Sequence, residues 1–184
     1  MGKIHEPTPV KLFAGFIYAD ELVLRNAMNS LTARFGPVDV ESEAIRFTFT
    51  EYYKKEMGEG LWRKYISFAK LISPDELSTI KHFTNDLEMK LAIKSTEAAS
   101  RSINIDPGYM ELSKVILAST KNFSHRIYLG NGIYAEVTLL FRDRRFIELE
   151  WTYPDYRNDF VKTFLLKART MLAGQSNQVH PESN

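Results

Sequence analysis

The stretch STKNFSHRIYL, Ser119 to Leu129, concentrates Ser119, Thr120, Lys121, Asn122, Ser124, His125 and Arg126 between apolar, strand-like runs. Its N–H and O–H donors, backed by the Lys121 and Arg126 charges, are what a phosphate or carboxylate requires, because charge-assisted hydrogen bonds are the strong ones. His125 has polar company suited to proton transfer near neutral pH. A second group, RSINIDPGY (101–109), sets Arg101, Asn104 and Asp106 ahead of a Pro107-Gly108 pair. Arg101 offers a forked anion donor, and Asp106 a hydrogen-bond acceptor or a ligand for a divalent metal.

The third group is a carboxylate pair. If RDR (142–144) forms a three-residue turn, Val137, Leu139, Ile147, Leu149 and Trp151 share one face. Glu136, Thr138, Glu148 and Glu150 then share the other, with Glu136 opposite Glu150. Facing like charges destabilise a sheet, so a cation, a shared proton, solvent or a divalent metal must neutralise them. His125, Asp106 and Glu136 are thus the candidate catalytic residues, and Arg101, Asn104, Lys121 and Arg126 the candidate ligand-binding ones. Each group also has a plain reading: a polar connection between strands, Pro-Gly turn chemistry, and a solvated sheet face.

These side chains need elements to hold them. VKLFAGFIYA (10–19) reads as a buried strand, and Asp20 caps a helix with Leu24, Ala27, Met28, Leu31 and Phe35 at helical spacing until FGP stops it. EAIRFTFTEYY (43–53) alternates as a half-buried strand does, and LWRKYISFAKLI (61–72) reads as its partner across a long or bulged connection. SPDE (73–76) starts a helix: Ser73 as N-cap, Pro74 at the first helical position, Glu76 closing a capping box. Leu77, Ile80, Phe83, Leu87 and Leu91 mark its apolar face.

SINIDPGYMELSKVILAST predicts a short strand, a Pro-Gly turn and an apolar strand. The segment from His125 to Trp151, with reversals at GNG and RDR, predicts an antiparallel meander. A final helix spans about 158–172, carrying Val161, Phe164, Leu165, Ala168 and Leu172, and AGQSNQVHPESN (173–184) reads as a disordered polar tail. The predicted fold is α+β: a ferredoxin-like βαββαβ core whose antiparallel sheet is extended by a C-terminal β-meander and a final helix. Helices are expected on one sheet face, in a single domain over 9–172.

With 184 residues, 44% hydrophobic and 26% charged, the chain has the composition of one globular domain. A net charge of +1 gives no long-range field for gathering polyanions, so nucleic acid would need a local patch. The chain has no cysteine, which excludes disulfides, thiol nucleophiles and thiolate metal sites. No run approaches a membrane span, and the first residues lack a signal-peptide pattern, so a cytoplasmic location without membrane contact is expected. There is no P-loop, no G-x-S-x-G elbow and no H-E-x-x-H. Tyr52 and Tyr53 beside Lys54 and Lys55 could stack nucleobases, as sheet-based RNA readers do, or simply pack at a rim.

PVKLFAGFIY, FTEYYKKEMG, RSINIDPGYM, KVILASTKNFSHRIYL, GIYAEVTL and WTYPDY together resemble the prokaryotic family known as domain of unknown function 4416, over residues 9 to 172. The resemblance implies motif positions at Asn104, Asp106, Tyr109, Lys121, His125, Arg126, Glu136, Asp155 and Tyr156, which adds Tyr109, Asp155 and Tyr156 to the ligand-binding candidates. Members often carry the label GTP-binding protein. Here TKNF (120–123) is the nearest stretch to the guanine-reading N-K-x-D, and it lacks the acid. The expected function is binding of a small anionic molecule, a nucleotide or other phosphate compound, with or without a divalent cation. A non-catalytic RNA- or protein-interaction module is the alternative, and a mainly structural, dimeric protein a third reading.

Overall fold

A computed structural model gives the fold of residues 2–94 and 99–179. In chain order the elements are β1 (Val10–Tyr18), α1 (Glu21–Phe35), β2 (Val38–Glu41), β3 (Ile45–Arg46), α2 (Lys54–Met57), β4 (Trp62–Ile72), α3 (Leu77–Leu91), β5 (Ile93–Lys94) and β6 (Ala99–Ser100). Then follow β7 (Ile103–Met110), β8 (Lys114–Ser119), β9 (Ile127–Gly130), β10 (Ile133–Arg142), β11 (Arg145–Glu148) and α4 (Asp159–Val179). The fold is α+β, built on an antiparallel nine-stranded sheet in the order β11-β10-β8-β7-β1-β4-β2, with β3 on β4 and β9 on β10.

Local signals explain several of these elements. Asp20 accepts the Leu22 N–H at 2.7 Å and caps α1, whose Leu24, Ala27 and Leu31 are buried. Before α3, the Glu76 carboxylate accepts the Ser73 N–H at 2.9 Å, the predicted reach-back of a capping box. β1 is buried at every position because it lies between β4 and β7 with both faces covered.

Helices cover both faces, not one. α1 and α3 pack against Leu12, Ala14, Phe16, Ile103 and Ile105. α4 packs on the opposite face, where Val161, Phe164, Leu165, Ala168 and Leu172 meet Phe13, Tyr65, Met110, Leu117 and Leu139. Inward residues of β1 therefore alternate between two cores, which is why its sequence is a continuous apolar run. The last helix also continues past the expected end at Leu172, so 173–179 are helix rather than tail, and Gln175 donates to the Ala69 carbonyl at 2.6 Å. The remainder of the expected tail, 180–184, lies outside the described residues.

Three further expectations change. Only Ile45–Arg46 of 43–53 pairs with β4, and β2 was not expected. Beyond Arg46 the chain leaves the sheet, and Phe47, Phe49, Tyr52 and Tyr53 pack edge-on against one another, so their alternation serves a loop cluster. Pro107 and Gly108 make no turn: they sit inside β7, opposite Ala14 and Phe13. Gly108 is there for closeness. A Cβ would lie 2.6 Å from Phe13 Cζ and press on the Ile116 carbonyl. The reversal falls later, where Glu111 donates to the Lys114 carbonyl at 3.0 Å.

The third change removes the facing carboxylates. The β10–β11 turn has two residues, Asp143 and Arg144, with φ of 53° and 60°, as a type I′ hairpin requires. Arg142 pairs with Arg145 and Leu139 with Glu148, so Glu136 does not face Glu150. Glu136 instead faces Leu117 on β8. A bulge between Val137 and Leu139 resets the alternation, which a strict two-residue period along β10 does not accommodate.

Candidate functional site

α4 leaves one end of its sheet face uncovered, and there only the short α2 and its flanking loop pack, through Met57, Phe47 and Tyr53, on Ile17. Register places Arg63, Gly15, Asn104, Asp106, Ser119 and Glu136 on that side. The sheet also opens there: β7 and β8 pair only from Met110–Val115 to Gly108–Leu117 and then part. Side chains of α3 replace the missing ladder, because a buried strand edge must still be satisfied. The Ile105 N–H donates to Glu88 Oε1 at 2.6 Å, and Lys81 Nζ donates to the Ile105 carbonyl at 3.0 Å. Pro107 shares that open side of β7, where a residue without an N–H is tolerated.

The parting of the strands creates a cavity of about 820 Å³. Its floor is a buried ionic network centred on Arg63, whose side chain is 1% exposed. Arg63 Nε donates to the Tyr65 hydroxyl at 2.7 Å, its Nη2 lies 2.9 Å from Asp155 Oδ2, and its Nη1 lies 3.4 Å from Asp106 Oδ2. Tyr65 in turn donates to Asp155 at 3.0 Å. The guanidinium lies over Gly15, where a Cβ would come within 2.9 Å of Nη2. Asn104 donates to Asp106 Oδ2 at 2.6 Å and fixes that carboxylate. On the α3 side, Arg101 pairs with Glu88 and lies 3.5 Å from Glu56. Burial pushes the Glu88 carboxyl up, against the opposing pull of Lys81 and Arg101. Burial opposes charge on Arg101, yet the Glu88 charge and hydrogen bond raise its pKa above the ordinary value.

The opposite wall is held by Arg126. Its Nε donates to Glu136 Oε2 at 2.8 Å, its Nη1 to Ser119 Oγ at 3.0 Å and the Lys121 carbonyl at 2.8 Å, and its Nη2 to the Tyr153 hydroxyl at 2.6 Å. Glu136, 2% exposed, also has His125 Nε2 at 3.1 Å and the Thr138 hydroxyl at 3.3 Å. The His125 ring stacks on Trp151, centroids 4.8 Å apart and 7° from parallel. Arg157 binds the carbonyls of Glu150 and Thr152 at 2.9 and 2.8 Å and sets the turn that presents Asp155 and Tyr156. Phe47, Phe49, Tyr52, Tyr53 and Phe123 form an aromatic side of the cavity. Burial and the nearby Asp106 charge push the Tyr53 phenol up. Across the mouth Lys121 Nζ donates to the Tyr52 hydroxyl at 2.8 Å and sits over its ring.

Arg101, Asn104, Asp106, Lys121, Arg126, Glu136, Asp155 and Tyr156 therefore line one cavity. His125 is not among its lining residues; it stands behind Glu136. Tyr109 lies on the other sheet face, against the α1 and α3 core. Arg63, Tyr65, Lys81 and Glu88 were not anticipated from the sequence. Their signals were present: Arg63 and Tyr65 share the inward phase of β4 with Ser67, and Lys81, Thr84 and Glu88 continue the α3 apolar stripe at helical spacing. Among the described residues no group of three His, Cys, Asp or Glu could hold a metal ion, and no helix is long and apolar enough to cross a membrane.

No curated protein and no solved structure matches the chain. The family model described as "Domain of unknown function (DUF4416)" matches residues 8–171, and the chain belongs to that family.

Proposed function

We propose that this protein binds a small anionic molecule with a flat ring, a nucleotide or a related phosphate compound, in the cavity between β7 and β8. The observation that carries the reading is the composition of the wall. Arg63, Lys81, Arg101 and Arg126 each have a carboxylate partner, whereas Lys121, at the mouth, has none among the described residues. A cation held by a neutral phenol and no carboxylate, beside an aromatic wall and over a polar floor, suits a ligand with a charged end and a stackable ring. The volume falls within the roughly 300–1,000 Å³ of small-molecule sites. Arg126 and Glu136 already satisfy each other, as Arg101 and Glu88 do, so in this reading these pairs shape the wall and Lys121 receives the anion. In this reading His125 positions Glu136 from behind the wall.

The test is a thermal-shift screen of nucleotides and sugar phosphates, with and without Mg²⁺, on the wild type and Lys121→Ala. Binding to the native state raises the midpoint with ligand concentration. The expected result is a dose-dependent rise that Lys121→Ala weakens about tenfold in affinity, the size of one charge-assisted contact. No shift with any anion would contradict the reading. The Mg²⁺ arm tells whether a divalent cation accompanies the ligand.

One observation favours a second reading. Phe123, Tyr52 and Tyr153 at the rim are 65%, 54% and 37% exposed, beside Lys121. Rings next to a cation can stack single-stranded RNA. Such binding weakens steeply between low and moderate salt, which a small-ligand site does not require. A cytoplasmic setting is part of both readings.

A further inference from the structure

The cavity floor contains two hydrogen-bonding groups whose capacity is unused. Tyr156 lines the cavity and is 1% exposed, yet its hydroxyl has no hydrogen-bond partner. The phenols around it are engaged: Tyr65 donates to Asp155, and Tyr153 accepts from Arg126. The one other unpartnered buried side-chain atom among the described residues, Gln175 Oε1, is on α4 and away from the cavity lining. Tyr156 is also firmly placed. Its ring packs edge-on against Tyr65 at 5.6 Å, and its N–H donates to the Tyr153 carbonyl at 3.0 Å. Burial holds the phenol in its protonated, donating form.

The second group is Asp106. Its Oδ2 receives the Asn104 amide and faces Arg63, but its Oδ1 has only Lys81 Nζ at 3.8 Å, too long for a hydrogen bond. A carboxylate oxygen accepts two hydrogen bonds, so Oδ1 has room for a donor from a ligand. Asn104 and Arg63 hold the carboxylate from one side and leave that oxygen as the available acceptor.

Building on the anion reading above, we infer that the ligand is a hydroxylated anion, a sugar phosphate or the ribose phosphate of a nucleotide. Its hydroxyls donate to Asp106 Oδ1 and accept from the Tyr156 hydroxyl. A hydroxyl is the neutral group that donates and accepts from one atom, and the floor supplies one acceptor and one donor. A site built to pair a ligand hydroxyl rejects analogues that lack it, because its own polar groups then stay buried and unpaired. An anion with a ring and no hydroxyl fills the aromatic side and leaves the floor unpaired.

The experiment is calorimetric titration with ribose 5-phosphate, adenosine 5′-monophosphate and phenyl phosphate, on the wild type and on Tyr156→Phe. The wild type should bind one of the two hydroxylated compounds at least about tenfold more tightly than phenyl phosphate. Tyr156→Phe should lose about tenfold for that compound and nothing for phenyl phosphate. Whether ribose 5-phosphate or the nucleotide binds more tightly reports whether the aromatic side is used. Equal affinity for phenyl phosphate and the hydroxylated compounds in the wild type would overturn the inference while leaving the anion reading intact. So would a Tyr156→Phe protein that binds all three as the wild type does. No binding of any compound would overturn both. The wild-type ratio decides the matter even if the variant folds poorly.

Discussion

Two polar clusters on one sheet face spend their hydrogen bonds differently. Around Arg126 the bonding is closed: Glu136 receives Arg126, His125 and Thr138, and Arg126 also bonds Ser119, Tyr153 and a backbone carbonyl. Around Asp106 it is open, with an unpartnered Tyr156 hydroxyl and an Asp106 oxygen without a hydrogen bond. Both clusters are rich in charge, and charge alone would have made both look functional. Unused capacity is what separates them. A closed network fixes shape, while an open one in a cavity can take a ligand.

The closed cluster is the place to look for the largest effect. Glu136→Ala strips the partner from a buried guanidinium and should cost about 3–5 kcal/mol in urea unfolding. A loss under about 1 kcal/mol would mean that the Arg126 cluster is not what holds the wall.

The two phenols of the floor sharpen the contrast further. Tyr65→Phe removes a hydroxyl bonded to both Arg63 and Asp155 and should destabilise by about 1–3 kcal/mol. Tyr156→Phe removes a hydroxyl that bonds nothing, so stability should stay within about 0.5 kcal/mol or rise. Equal losses in the two variants would show that Tyr156 is bonded after all.

The smallest expected effect is a pH dependence at Glu88. Its carboxyl is raised above the ordinary 4.5 by burial, so the folded state holds that proton more tightly than the unfolded chain does. The stabilising contribution is complete below 4.5 and is lost as pH rises through the folded value. Relative to Glu88→Gln, which does not titrate, the wild type should therefore lose stability with rising pH in that window. A relative gain would mean that Lys81 and Arg101 outweigh burial.

Much of this contrast is legible in the amino-acid sequence. The capping box at Ser73–Glu76, the Asp20 cap and the buried β1 run are short-range signals, and each forms as its residues predict. Asp106, Asn104, Arg101, Lys121, Arg126 and Glu136 carry enough polar chemistry within strand-like context to mark one cavity. What failed depended on long-range pairing. Pro107 and Gly108 look like a turn locally, and only their neighbours Ala14, Phe13 and Ile116 show why they sit in a strand. The Glu136–Glu150 opposition failed because the turn has two residues and not three, which moves the β10–β11 register by one, and Asp143-Arg144 does not announce that in sequence. Lys81 and Glu88 show their inward phase on α3 in sequence, but their role does not, because they compensate for a strand edge whose opening is itself a tertiary fact.

The central claim is that the open cluster binds and the closed one does not. It is tested most directly by calorimetric titration of ribose 5-phosphate and of adenosine 5′-monophosphate into the wild type and into Asp106→Asn. The wild type should bind one of them saturably and Asp106→Asn should bind it at least about tenfold more weakly, a loss of about 1.4 kcal/mol, with the variant still folded. Wild-type protein that gives no binding heat, or an Asp106→Asn protein that binds as tightly as the wild type, would contradict it.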